Sequence, residues 1–235
     1  MSSKVANFKE LGATVTVVLA AMLSARNAGA NTGRLLVFLH VAVKPRALQS
    51  ALEAALPGIE VIAVGRVSDF ERFLKEGVDA IIALPVVLAA FKLSAQLHGN
   101  RAGSQVERYS LVAVDGIPEP RRVATVGALD LLGRDGTNAF VKDLLEANPR
   151  VERVSKVEDL LRLLQAQVAD AILLPSRLFS EIRATSKLNL SPFELPKPVG
   201  LPSAVGTSAE GPQVLAALSR MPAQVARTLG VDSWR

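Results

Sequence analysis

Residues 52–85 and 145–175 read as two copies of one strand–helix unit. The first is LEAALPGIEVIAVGRVSDFERFLKEGVDAIIALP and the second LEANPRVERVSKVEDLLRLLQAQVADAILLP. Leu52-Glu53-Ala54 answers to Leu145-Glu146-Ala147, and Pro57 to Pro149. Val67, Asp69, Arg72 and Leu74 answer to Val157, Asp159, Arg162 and Leu164. Each copy closes on an apolar strand that opens Asp-Ala-Ile and ends Leu-Pro, from Asp79 to Pro85 and from Asp170 to Pro175. A duplicated α/β unit implies two similar lobes. The cleft between lobes is where small ligands bind.

The rest of the chain keeps the same alternation. Arg34 to Val43 is an unbroken apolar run, as for a strand buried on both faces. Pro45 suits a helix first turn, Leu48, Leu52, Ala55 and Leu56 share one helical face, and Pro57-Gly58 ends it. Ile59–Val64 is the next strand, and Ser68 is a candidate N-cap for the helix carrying Phe70, Phe73 and Leu74. Val78–Leu84 follows as a strand, and Leu97–Glu107 reads as a polar loop between the lobes. Tyr109–Val114 and Arg122–Leu129 are strands, Leu131–Asn138 a Gly-rich loop, and Ala139–Ala147 a helix. A Pro-rich connection spans Leu190–Pro202, with helices over Glu210–Ser219 and Pro222–Leu229. Such alternation implies parallel strand pairs with right-handed crossovers.

The N-terminus reads as a secretory signal peptide. Lys4 and Lys9 precede a short apolar stretch, Ala13–Leu23, and Ala28-Gly29-Ala30 gives the small-residue cleavage pattern. The apolar stretch falls short of the ~20 residues that span a bilayer. Glu10 beside it is the feature that an anchoring helix explains better. Removal of residues 1–30 leaves roughly 205 residues, enough for two small lobes. The full chain carries +5 and no cysteine. The processed chain is therefore only mildly basic, at about +3. Lys and Arg are scattered with little aromatic interleaving, which argues against nucleic acid. The absence of cysteine excludes disulfides and a lipidated cysteine. The expectation is a soluble periplasmic protein with no stable membrane insertion after cleavage.

An enzyme reading finds no motif. Two isolated histidines with no cysteine do not make a zinc site. There is no G-x-S-x-G elbow, dinucleotide fingerprint or P-loop, and no cofactor is implied.

The order of elements resembles a type 2 periplasmic solute-binding protein, closest to the phosphate/phosphonate-type receptors of ABC importers. FERFLKEGVDAIIALP and VEDLLRLLQAQVADAILLP resemble that family's helix–Gly–Asp–strand signature in each lobe. PRRVATVGALDLLGRDGTNAFVKDLL resembles the opening of lobe two, and PAQVARTLGVDSW the terminal helix and tail. The resemblance covers nearly all of residues 34–235. It implies an α/β fold of two similar Rossmann-like lobes joined by a hinge, a small anionic ligand, and an importer permease as partner. This chain departs from the pattern in its single hydroxyl within Gly133–Asn138 and its scarcity of aromatic residues. A sensor or assembly protein with a vestigial cleft is the alternative. The expected division is 31–108 for lobe one, with part of 220–235, and 109–219 for lobe two.

Three clusters are candidate ligand contacts. Gly133 opens a loop in which Arg134, Asp135, Gly136, Thr137 and Asn138 either present backbone N–H groups to an anion or simply cap the next helix. Ser176 and Arg177 follow the last lobe-two strand, where α/β sheets meet ligands, or else cap a helix there. His40 and Lys44 hold the equivalent place after the first strand, with a core histidine and a surface lysine as the plainer reading.

Overall fold

The computed structural model describes residues 33–39, 41 and 44–235. The expected signal segment, its cleavage after Ala30, and His40 lie outside the described residues. Strand β1 (Gly33–Phe38) is buried everywhere but Arg34, as its apolar run requires. It pairs in parallel with β2 (Ile59–Val64) and β3 (Ala80–Ala83). Helices α1 (Pro45–Ala55) and α2 (Val67–Glu76) are the crossovers. They bury Leu48, Leu52 and Phe70 on the sheet. Phe70 stacks on Phe38 with ring centroids 5.1 Å apart. After β3 come α3 (Pro85–Ala90) and β4 (Leu97–Asn100), and β5 (Tyr109–Val114) begins the second sheet.

That sheet repeats the arrangement. β6 (Thr125–Leu129) pairs in parallel with β7 (Arg150–Val154) and β8 (Ala171–Pro175). Helices α4 (Gly133–Leu145) and α5 (Val157–Gln165) cross between them. A short 3-10 turn (Ser176–Leu178), α6 (Phe179–Thr185) and β9 (Leu190–Glu194) follow. The chain then returns to the first sheet as β10 (Ser203–Gly206), α7 (Gly211–Ser219), α8 (Ala223–Ala226) and β11 (Ser233–Trp234). The strand orders are β11-β4-β10-β3-β1-β2 and β7-β6-β8-β5-β9. β2-β1-β3 and β7-β6-β8 are thus the same three-strand unit in two separate sheets.

The repeated Asp-Ala-Ile has a structural cause. Asp79 opens the chain into β3 and accepts the Arg34 N–H of neighbouring β1 at 2.7 Å. Asp170 holds the same place before β8 and accepts the Ala124 and Thr125 N–H groups at 3.1 and 2.8 Å. Each aspartate satisfies the first donors of the adjacent strand, where the ladder has no partner left to offer.

The structure departs from the sequence reading at several points, each for a non-local reason. The sheets are mixed, because β10 runs antiparallel to β3 and β5 antiparallel to β8 and β9. Residues 203–219 belong with the first sheet and not, as expected, with residues 109–202. Part of the expected 97–107 loop is strand β4, recruited by pairing with β10. Pro192 sits within β9, which an edge strand tolerates. The expected Leu131–Asn138 loop is mostly helix, since α4 begins at Gly133. Ser68 lies inside α2, whose N-cap is Arg66.

Two segments cross between the sheets side by side. Val199 N–H donates to Glu107 O at 2.8 Å and Leu201 N–H to Gln105 O at 2.9 Å. The core is continuous through this junction, taking in Leu84 from the first lobe and Tyr109, Phe140 and Leu195 from the second.

Candidate functional site

Strand registers fix where the two lobes face each other. In the second lobe, Tyr109 enters β5 from the crossing and pairs with Pro175 at the end of β8. β6 and β7 run parallel with β8, so all three carboxyl ends lie beside the crossing. In the first lobe, β10 begins just after the crossing and pairs Ser203 with Ala83 at the end of β3. The ends of β1 and β2 lie on that same side. Both lobes therefore turn the carboxyl ends of their strands, and the N-termini of their crossover helices, toward the junction. This is where open α/β sheets take ligands.

All four crossover helices begin there with a basic side chain. Lys44 is the N-cap of α1, Arg66 of α2 and Lys156 of α5, and Arg134 is the second residue of α4. All four are exposed. None has an ion pair or side-chain hydrogen bond among the described residues. A cation at a helix N-terminus opposes the helix dipole by roughly 0.3–1 kcal/mol. Of the first-turn acids, Asp69 and Asp159 are engaged by Arg72 at 3.4 Å and Arg162 at 3.1 Å, while Asp135 and Glu158 are exposed and have no ion pair among the described residues. The cleft rim thus sets the free cations Lys44, Arg66, Arg134 and Lys156 and the helix N-termini against the free acids Asp135 and Glu158, a balance that favours an anion.

Arg66 and Lys156 were not singled out in the sequence, although the repeat contains them. They precede the matched residues Val67 and Val157 in Arg-Val-Ser-Asp and Lys-Val-Glu-Asp. A basic residue at the same step of both copies was the available signal.

The start of α4 is organised from within. Its N-cap, Leu132, makes no side-chain cap, and Gly133 has φ +73°. Thr137 is fully buried; its hydroxyl donates to Asp130 Oδ1 and accepts the Leu132 N–H, both at 3.0 Å. Asp130 Oδ2 takes Arg153 Nη1 at 2.7 Å. Gly136 lets Leu132 close in, since a Cβ there would stand 2.5 Å from Leu132 Cβ. Of the expected anion-binding cluster, Arg134, Asp135 and Asn138 reach solvent, while Thr137 and Gly136 hold the turn together.

The remaining candidates separate. Lys44 lies on the rim of the first lobe. Ser176 Oγ bonds Ser110 Oγ at 2.8 Å. Arg177 turns into the crossing and donates to Glu107 Oε2 at 2.6 Å. Beyond Lys44 and Arg66, the first lobe brings apolar residues to the rim, among them Leu39, Leu84 and Pro85. Among the described residues no three His, Cys, Asp or Glu side chains gather as a metal site, and no helix is long and apolar enough to cross a membrane.

No family model matches the chain, and no curated protein does. Solved structures do. A Xanthomonas citri protein bound to ATP aligns with a TM-score of 0.57 at 12% identity, over 86% of this chain and 90% of that one. The substrate-binding protein of an amino acid ABC transporter aligns with a TM-score of 0.55 at 13% identity, over 84% and 92%. A double mutant of the VFT2 domain of Bordetella pertussis BvgS aligns with a TM-score of 0.55 at 14% identity, over 90% and 96%. These likenesses establish the fold, which is that of the two-lobed type 2 periplasmic binding proteins.

Proposed function

We propose that this chain is a solute-binding protein that closes its two lobes on a small anionic molecule and delivers it to the permease of an ABC importer. The observation that carries the anionic reading is the set of unpaired basic residues at the starts of α1, α2, α4 and α5. Neither lobe alone supplies all four cations. Ligand therefore favours the state in which the lobes approach, and binding and closure are one equilibrium. The ligand class is a phosphate or phosphonate, whose oxygens suit backbone N–H groups and guanidinium together. Neighbours of this fold bind ATP in one case and serve amino acid transport in another, and an amino acid's carboxylate would meet the same rim. A thermal-shift screen against phosphate, methylphosphonate, ATP, carboxylates and amino acids tests the proposal. Stabilisation by phosphate or phosphonate supports it. Stabilisation by amino acids alone replaces the ligand class, and no stabilisation by any of them removes the solute-binding reading.

A second reading rests on the closed network of Asp130, Thr137 and Arg153, which leaves those groups little to offer a ligand, and on the apolar lip of the first lobe. It makes the chain a sensor or assembly protein acting through protein partners, with the BvgS domain as a neighbour of the same fold.

Either reading places the protein in the periplasm after removal of residues 1–30. Mass spectrometry of the native protein would then find Asn31 at the N-terminus. An intact Met1 in a cytoplasmic fraction would overturn export.

A further inference from the structure

A separate cavity of about 320 Å³ opens beside the crossing, between the C-terminal part of the first lobe and the start of α6 in the second. Arg101, Arg177 and Arg227 line it, with Glu181 and Asp232. It involves none of the four rim cations described above.

The local structure engages Asp232 and leaves guanidinium donors over, with the exposed Glu181 carboxylate the one lining acid that has no side-chain partner among the described residues. Asp232 Oδ2 accepts the Ala102 N–H at 3.0 Å and its Oδ1 accepts Arg227 Nε at 3.1 Å. These bonds hold the Asp232 carboxyl below the usual carboxylate range, with the Ala102 N–H as the largest cause and the Arg101 charge as a lesser one. Asp232 N–H also donates to Asn100 O at 2.7 Å, so the Arg101–Ser104 turn and the C-terminal segment form one wall. Across the cavity, Arg177 gives Nε to Glu107 and makes no other side-chain hydrogen bond among the described residues. Its guanidinium lies against Gly230, where a Cβ would come within 3.0 Å of Cζ. Gly230 also has φ +84°, so glycine serves both the turn and the approach. Arg101 is exposed; its charge acts on Asp232, but it makes no ion pair or side-chain hydrogen bond among the described residues. Three guanidiniums, each with Nη groups left to donate, thus converge on a space large enough for a small metabolite.

We propose that this cavity is a second ligand site, for a small phosphate-bearing molecule held by Arg101, Arg177 and Arg227. Glu181 at the same cavity supplies an acceptor for a hydroxyl group of that molecule. Because Arg101 and Arg227 belong to the first lobe and Arg177 to the second, an occupant contacts both. It binds best when the lobes hold this relative position, so occupancy biases the opening and closing of the main cleft.

The test is titration calorimetry of the full chain with inorganic phosphate and with glycerol 3-phosphate. Arg101 and Arg134 are exposed, so neither Arg101→Ala nor Arg134→Ala endangers the fold. Measured in an Arg134→Ala background, which weakens the main cleft, binding should persist. Adding Arg101→Ala should then raise Kd by about tenfold or more, as for a lost charged hydrogen bond. Arg227→Ala should act in the same direction. Binding in the Arg134→Ala background that Arg101→Ala and Arg227→Ala leave unchanged would overturn the second site. So would the absence of any saturable heat in that background. The cleft is judged separately: an Arg134→Ala change with no effect in the otherwise intact protein removes Arg134 from the cleft and leaves the second site standing.

Discussion

Arg177 donates through Nε to the Glu107 carboxylate at 2.6 Å, and this contact ties the end of β8 to a segment crossing between the lobes. Both side chains are almost out of water, at 10% and 8% exposed. Glu107→Ala should cost ~3–5 kcal/mol, because it leaves a buried guanidinium uncompensated. The double change Glu107→Leu with Arg177→Met should recover most of that loss. Urea denaturation of the three proteins checks this; a single variant as stable as the parent would show that the pair carries no strain of burial.

Asp79 and Asp170 predict a matched pair of effects. Asp170→Ala removes the acceptor of two strand N–H groups, and Asp79→Ala removes the acceptor of the Arg34 N–H. Each substitution should destabilise the chain by about 1–2 kcal/mol. Asp170→Asn, which keeps a carbonyl acceptor, should cost less. Chemical denaturation curves for the three variants decide it.

Burial raises the Tyr109 hydroxyl pKa above its ordinary value, with the Arg177 charge opposing and the Glu107 charge adding to the rise. The folded state therefore holds this proton more tightly than the unfolded state. Tyr109 contributes no pH dependence while both states keep the proton, and stability falls as pH rises above about 10, where only the unfolded chain releases it. As the single tyrosine, it reports directly through tyrosinate absorbance. Ionisation should appear only together with unfolding, and Tyr109→Phe should flatten the alkaline limb of the stability curve.

Arg134 sits on the solvent face at the start of α4, without an ion pair among the described residues. Arg134→Ala should weaken a phosphate or phosphonate in the main cleft by ~1.5–3 kcal/mol, roughly ten- to hundredfold in Kd. Melting temperature without ligand should hardly move, since exposed charges add little to stability. Calorimetry and a thermal melt on the same preparation read the two effects. Equal affinities would remove Arg134 from the site.

The sequence by itself determined the units. Apolar runs such as Ala171–Leu174 are strands because every side chain must be buried, and Leu160 and Leu164 mark a helix face by their spacing. The repeated Asp-Ala-Ile, with its glycine or polar turn before it, is legible because it solves a local problem of unsatisfied strand donors twice. Even the basic residues that start α2 and α5 lay in register in the two copies. Tertiary structure alone decided which sheet receives β10, since Ser203–Gly206 is as good a strand for either lobe and only its partners Ala80–Ala83 choose. It alone also decided that Thr137 faces Asp130 and Arg177 faces Glu107, each of which the sequence left equally open to a ligand. Periodicity is set by neighbours three or four residues apart. The partner of a polar side chain is set by groups far along the chain, 70 residues away for Arg177, and only folding brings those within hydrogen-bond reach.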